Sequence, residues 1–278
     1  MKKSLKKRVA LGAYNFGLNI LSRTPLVKKK LFRKYLGKYA YRTDPAYDKD
    51  VYERYSEMLA KHQIVYKDKI IMDVGSGDNY YHAYFFIKNG AKKFILCEPF
   101  ADYLLDSVVL EKRGEILLGK KKFQEDRSVF ENISVVSDHL EKLKHLDDSS
   151  VDIIISTSVF EHIDNVEKCI KECQRVLKSG GVMIHQIDIR DHADFEEPFN
   201  YLGYSSWNWR WLRTNSFVYT NRRRSKDFLD SLRRNKFTIL QAEEDRQAFG
   251  AVKINREFGD YTQDELEVIR LLFVAKKN

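Results

Sequence analysis

The chain reads as an α/β protein built on a mostly parallel sheet with helices on both faces. Three observations carry that prediction. Short apolar runs alternate with helix-period segments between residues 68 and 190. A glycine-containing turn, Asp73-Val74-Gly75-Ser76-Gly77, joins the first run to a helix. An acidic residue, Glu98, ends the second run 25 positions after Asp73, the spacing at which doubly wound folds hold ribose hydroxyls. At 278 residues and 43% hydrophobic content, the chain can bury a sizeable core.

Charge divides the chain. Residues 1–43 hold thirteen Lys and Arg and no acid, whereas the other 235 residues hold 36 basic and 40 acidic groups. The net +9 therefore belongs to a helical N-terminal extension, residues 1–60, and not to the body, residues 61–278. A mildly acidic body offers DNA no basic face, and RNA has only the arm. The apolar stretch Val9–Leu21 contains Asn15 and Asn19, lacks a small-x-small cleavage site after it, and is too short to cross a bilayer. On a helical wheel Leu5, Val9, Ala13, Phe16 and Ile20 share one face, and Arg8, Gly12, Asn15, Asn19 and Arg23 form a polar stripe. With Lys28–Lys30 and Arg33-Lys34 following, residues 5–34 suit peripheral contact with the inner face of an anionic membrane. The competing expectation is a lid helix that lays its apolar face on the body. Tyr47, Tyr52 and Tyr55 follow on a second helical stretch, either reaching a site or packing. Cys97, Cys169 and Cys173 lack a zinc-spaced partner pair and read as buried thiols in a reducing, cytoplasmic setting.

In the body, Ile70–Val74 is the first strand, and a helix over Tyr80–Asn89 ends at the C-cap Gly90. Phe94–Glu98 is the second strand, stopped by Pro99. Ile133–Ser137 is the third, closed by Asp138-His139, and Val151–Ser156 the fourth. A helix from about Asn165 to Leu177 gives way at Ser179-Gly180-Gly181 to a fifth strand, Val182–Ile187. After a helix over Ser225–Asn235, Phe237–Leu240 and Leu271–Ala275 read as two more strands. Between these lies a helix over Thr262–Val268 with a capping box from Thr262 and Glu265.

This succession, with Val151-Asp-Ile-Ile-Ile-Ser-Thr-Ser-Val-Phe-Glu-His162 and Arg175-Val-Leu-Lys-Ser-Gly-Gly181, resembles the class I S-adenosylmethionine-dependent methyltransferases over roughly residues 68–190. The resemblance implies a Rossmann-like, seven-stranded, mostly parallel sheet with an antiparallel terminal hairpin, and S-adenosyl-L-methionine as cofactor. It assigns the methionine part of that cofactor to Asp73, Gly75, Ser76 and Gly77, and the ribose to Glu98 beside Pro99. The adenine ring falls to Asp138 with His139, and the cleft lining to Ser156-Thr157 and Glu161-His162. A dinucleotide is disfavoured because the third glycine of its turn is missing. Asp73 and Asp78 would repel a pyrophosphate but suit a sulfonium and an ammonium.

The segment 188–224 is too long for an ordinary connection and carries Phe195, Phe199, Tyr201, Tyr204, Trp207, Trp209, Trp211, Phe217 and Tyr219. It reads as an aromatic-rich cap enclosing the substrate, against the plainer reading of aromatic packing that anchors a loop. With His185–Asp194 and Asn221–Arg224 it resembles a bacterial branch associated with sugar and cell-surface polysaccharide pathways. For a hydroxyl acceptor the base is expected at His192 or, second, His185, with Asp188 orienting it and Asp191 nearby. No metal is expected, although His185, Asp188 and His192 form an alternative ligand set. One of Arg222–Arg224 could pair with an anionic substrate group, and at least two are expected in solvent. The expected function is methyl transfer to a small-molecule hydroxyl, on a sugar or glycan precursor. RNA methylation through the basic arm and a non-catalytic membrane-associated role are the alternatives.

Overall fold

The computed structural model describes residues 5–21, 45–77, 81–99, 111, 114–116, 118–215, 219–248, 250 and 252–278. The basic clusters Lys28–Lys30 and Arg33-Lys34, as well as Asp78–Tyr80 and Phe217, lie outside them. In chain order the elements that position the site begin with α1 (Leu5–Leu21), α2 (Pro45–Lys61), β1 (Ile70–Val74), α3 (Tyr81–Lys88), β2 (Lys93–Cys97) and β3 (Ile133–Val136). They continue with β4 (Val151–Thr157), α4 (Val166–Val176), β5 (Leu177–Asp188), α5 (Ser225–Arg234), β6 (Phe237–Arg246), α6 (Gln263–Leu266) and β7 (Val268–Lys277).

The strands form one seven-stranded sheet in the order β3-β2-β1-β4-β5-β7-β6. The first five strands pair in parallel, and β7 runs antiparallel to both β5 and β6. The central strands are continuously apolar because helices cover both faces. Met72, Val74, Ile154 and Met183 meet α4 and α5 on one side, where Cys169 and Cys173 pack with Ile170, Phe228 and Leu232. Ile71, Ile153, Ile155 and Ile184 meet Val51, Tyr55, Leu59 and Phe86 of α2 and α3 on the other. Helix α2 is thus part of the body's core. The three cysteines are free and buried.

Three boundaries differ from expectation. Helix α4 stops at Val176, and Ser179-Gly180-Gly181 lies inside β5, where Gly180 takes a positive φ of 76° beside a register shift in β4. A Cβ on Gly181 would sit 2.9 Å from the Asp152 carbonyl, so glycine is needed for close strand approach, not for a helix stop. The β6–β7 pair is longer than its apolar run because its outer half is a polar edge, with Arg270 paired to Asp245 at 2.7 Å. Helix α6 is shorter than expected and carries the Thr262–Glu265 capping box.

The arm departs most from its hydrophobic pattern. Helix α1 turns its polar stripe inward, and its side-chain amides hold the backbone of the 210–214 turn. Asn15 Nδ2 donates to the Leu212 carbonyl at 3.2 Å, and Asn19 Nδ2 donates to the Arg210 and Thr214 carbonyls at 2.8 and 3.0 Å. Gly12 closes against Leu212. Leu11, Tyr14, Phe16, Ile20 and Leu21 face outward and are exposed. The lid expectation, with the apolar face on the body, is therefore corrected. Two asparagines and a glycine match the carbonyls of a wide turn better than leucines would. Among the described residues, no helix is long and apolar enough to cross a membrane.

Helices α2 and α3 are tied to β1 through charge. His82 Nε2 donates to Asp73 Oδ2 at 2.9 Å, and its Nδ1 faces Asp48 Oδ1 at 3.5 Å, all three side chains being buried. Burial opposes a charged imidazole, but Asp73 and Asp48 outweigh it and raise the His82 pKa from 6.5 to about 9. A group whose pKa rises on folding contributes stability that is complete below its unfolded pKa and is lost as pH climbs through the folded value. The melting temperature is therefore expected to fall by about 5 °C more between pH 6.5 and pH 9.5 in the wild type than in His82→Gln. Scanning calorimetry across that range checks it, and equal slopes would show that the imidazole is neutral in the folded protein.

Candidate active site

The turn after β1 is fixed by backbone geometry before any ligand is considered. Gly75 and Gly77 have φ of 68° and 59°, in the left-handed region that suits glycine. The Gly75 amide donates to the Cys97 carbonyl at 2.8 Å. A Cβ on Gly75 would lie 2.6 Å from Val159 Cγ2, so the turn presses on the loop after β4, whereas a Cβ on Gly77 would meet only open space. Glu98, buried at the end of β2, accepts from the Gly77 amide at 3.0 Å. The Ser76 hydroxyl is buried and has no hydrogen-bond partner among the described residues. Pro99, beside it, is half-buried.

Other expected cofactor residues are committed elsewhere. Asp73 spends its carboxylate on His82, so it shapes the turn from beneath. Asp138 is buried and turned into its own loop, accepting from the His145 amide and pairing with His145 Nδ1, both at 2.9 Å. His139 beside it is exposed. Ser156 and His185 are corrected outright. They are register partners on β4 and β5, both 0% exposed, and their side chains bond to each other. His185 is walled by Phe160 and Phe273 at ring distances of 4.5 and 5.2 Å. Burial drives its pKa down to about 3, so it is a neutral core histidine and neither a base nor a metal ligand.

The ends of β4 and β5 bring together the residues that remain. A 3-10 turn, Phe160–His162, follows β4. Glu161 is buried, with Oε1 accepting from the Asp188 amide at 3.3 Å and Oε2 unpaired. Burial, with Asp188 nearby, lifts its pKa to about 8. His162 Nδ1 donates to the Tyr219 carbonyl at 2.6 Å, which leaves Nε2 as the lone-pair nitrogen. His162 is exposed at the edge of the cluster, and partial desolvation of its ring by the surrounding chain holds its pKa below the ordinary imidazole value. The His162 and His192 rings are 4.9 Å apart. Asp188 Oδ2 lies 3.6 Å from His192 Nε2, itself buried with no hydrogen-bond partner. Burial works against the Asp188 charge, but bonds from Arg190 and the contact with His192 hold its carboxyl well below the usual range. Asp191 is turned onto its own loop, accepting from the Ala193 amide at 2.8 Å.

The cap is chiefly a small core of its own, in which Phe199, Tyr201, Leu202 and Trp209 pack with Phe258 and Leu266. Phe195 and Trp207 are exposed, and Phe195 lies 5.3 Å from the His192 ring. The expectation that two of the three arginines face solvent is corrected. Arg222 donates to the Tyr201 and Tyr204 carbonyls at 3.1 and 2.5 Å, and Arg224, 0% exposed, binds the Tyr201 hydroxyl and the Leu266 carbonyl. Neither is available to a substrate. Helix α2 also reaches the site: Tyr55 donates to the Ser156 carbonyl at 2.6 Å, and Arg54 to Gln186 at 2.7 Å. Asp48, His82 and Tyr219 escaped sequence reading, because their roles depend on partners far away in the chain.

A doubly wound sheet ordered 3-2-1-4-5-7-6, with a glycine turn after its first strand and an acid on that turn's amide, defines a nucleotide-cofactor-binding α/β domain. Residues 72–185 match the family model described as a methyltransferase domain. That segment is a class I S-adenosylmethionine-dependent methyltransferase domain, and S-adenosyl-L-methionine is its cofactor. No curated protein matches the chain. Among solved structures, a candidate sarcosine dimethylglycine methyltransferase from Galdieria sulphuraria is similar with a TM-score of 0.53. It is 16% identical, and the match covers 82% of this chain and 86% of that one. The geranyl diphosphate C-methyltransferase of Streptomyces coelicolor A3(2), solved with S-adenosyl-L-homocysteine, scores 0.52 at 13% identity, covering 81% of this chain and 79% of that one. At these identities the likeness is one of fold.

The residues fit the cofactor. The unpartnered Ser76 hydroxyl and the open space at Gly77 form a cradle, and Glu98 gives it an acidic wall suited to a cationic ligand. Gly75→Ala is expected to cost about 1–3 kcal/mol of stability through overlap with Val159. Glu98→Ala is expected to fold normally and bind S-adenosylmethionine about tenfold more weakly or worse. Urea unfolding and titration calorimetry check the pair, and unchanged affinity in Glu98→Ala would remove Glu98 from the cofactor site.

Proposed function

We propose that the protein moves the methyl group of S-adenosylmethionine to a hydroxyl oxygen of a small molecule, a sugar or glycan precursor. The observation that carries this reading is the Glu161–His162–Asp188–His192 cluster beside the glycine turn. A hydroxyl is a poor nucleophile until its proton is drawn away, and a histidine paired with a carboxylate is suited to that near neutral pH. The bound donor supplies an electrophilic methyl on a sulfonium. The chain's own residues do the rest. Gly75–Gly77 and Glu98 hold the donor, and Asp188 orients His192 toward the acceptor proton. Glu161, largely protonated near pH 7, donates a hydrogen bond to an acceptor oxygen. The cap core sets the loop that carries His192. The mildly acidic body supports a small acceptor over RNA.

The outward apolar face of α1 supports a peripheral membrane position. Leu11, Phe16, Ile20 and Leu21 lie beside an arm with no acid before Asp44, the composition of a segment drawn to anionic lipid. A double substitution, Phe16→Ser with Ile20→Ser, leaves the inward asparagines intact. It is expected to cut co-sedimentation with phosphatidylserine vesicles several-fold, and undiminished sedimentation would end that reading.

The catalytic reading is tested by following S-adenosylhomocysteine release over free and nucleotide-activated sugars, with structured RNA as the contrasting acceptor. His192→Ala is expected to lower turnover about 10²–10⁴-fold while S-adenosylmethionine affinity changes less than about twofold. Turnover on RNA alone, or full activity in His192→Ala, would overturn it.

A further inference from the structure

We infer that Glu161, His162 and His192 form a binding site for one divalent transition-metal cation. Each offers a ligand atom, and the three atoms lie within 4.8 Å of one another. The donor set is two imidazoles and one carboxylate, which favours zinc(II) and its first-row neighbours over magnesium or calcium.

The atoms are prepared for such an ion. Glu161 is 3% exposed, yet its Oε2 has no hydrogen-bond partner, and the described residues supply no cation to it. A buried carboxyl with a bare oxygen avoids the cost of a lone charge by keeping its proton, and a bound cation takes that proton's place. His162 already donates its Nδ1–H to the Tyr219 carbonyl, so Nε2 presents a lone pair. That is the outer arrangement by which proteins orient metal-ligating histidines. His192 Nε2 is likewise buried and bare, and it faces Asp188 Oδ2 at 3.6 Å, so a cation at that nitrogen lies beside a carboxylate. Asp188 is itself paired with Arg190 at 2.6 Å and adds negative charge beside the cation instead of serving as a ligand. Three protein ligands leave coordination positions open, as catalytic metal sites do.

The inference rests on the hydroxyl-acceptor reading for its chemistry and refines how His192 acts. A cation in the open cleft would take an acceptor that offers neighbouring oxygens, such as a vicinal diol or a hydroxy acid. It would hold the reacting oxygen and make its proton more acidic. His192 then contributes as a ligand that places the cation, and the acidified proton would pass to a solvent water of the cleft as the oxygen bonds the methyl carbon and the donor's carbon–sulfur bond breaks, leaving S-adenosylhomocysteine.

Dialysis against ZnCl2 followed by metal analysis, with Co2+ absorption spectra as a second readout, tests the site without relying on turnover. The wild type is expected to retain one zinc per chain and, with Co2+, to show visible bands of nitrogen ligation. His162→Ala and His192→Ala should each weaken zinc binding at least tenfold while keeping the wild-type circular dichroism spectrum. Glu161→Gln, which preserves shape, should weaken it as well. Sub-stoichiometric zinc in the wild type would overturn the site, as would full retention in both histidine variants. S-adenosylmethionine titration on the same samples separates the two readings. Zinc bound without the donor would count against the transfer function alone, and the donor bound without zinc against the metal site alone.

Discussion

The contact between Gly75 and Val159 is the constraint on which the rest of the site depends. The donor turn and the loop after β4 approach so closely that a single methyl group at Gly75 would collide with valine. Two residues beyond Val159 the chain delivers Glu161 and His162. The glycine turn and the cluster proposed to take the acceptor are thus set against each other by packing. Transfer between two bound molecules gains most from this kind of fixed relative position. The parallel pairing of β1 with β4 supplies the approach, since Asp73 lies opposite Ile155 in register.

Much of the fold was legible because local patterns and global architecture agree. Every strand expected from an apolar run exists, and the glycine turn, the acid at Glu98 and the order of motifs led to the right domain family. Strand ends beyond the core were not legible, since β6 and β7 continue as polar edge pairs whose stability comes from each other. The site divided along a similar line. Glu98 and Gly77 could be read from spacing, because they meet across adjacent strand ends. Ser156 and His185 looked like cleft residues from their place near strand ends, but strand alternation turns both side chains inward. A polar residue on a strand carries no mark of which face it takes when the whole strand is buried.

The two buried arginines and the arm teach a related lesson. Arg222 and Arg224 read as a solvated cluster before a helix, yet they are the polar framework that ties the cap to β7. Guanidinium groups satisfy several carbonyls at once, so an irregular segment rich in orphan carbonyls recruits them. Asn15 and Asn19 do the same for the 210–214 turn from the other side. Hydrophobic periodicity assumes that the apolar face is the one that packs. Where the surface to be covered is backbone, that assumption inverts.

Helix α2 also bears on where the chain can be cut. Its sequence follows directly on the basic arm, so a truncation that removes the whole helical extension, residues 1–60, would remove both. Asp48, Tyr55 and Leu59 would then vanish from beneath His82, from the end of β4 and from the core. A shortened protein keeps its interior only if it begins at or before Pro45, and a version starting near residue 60 uncovers the part of that sheet face that α2 covers.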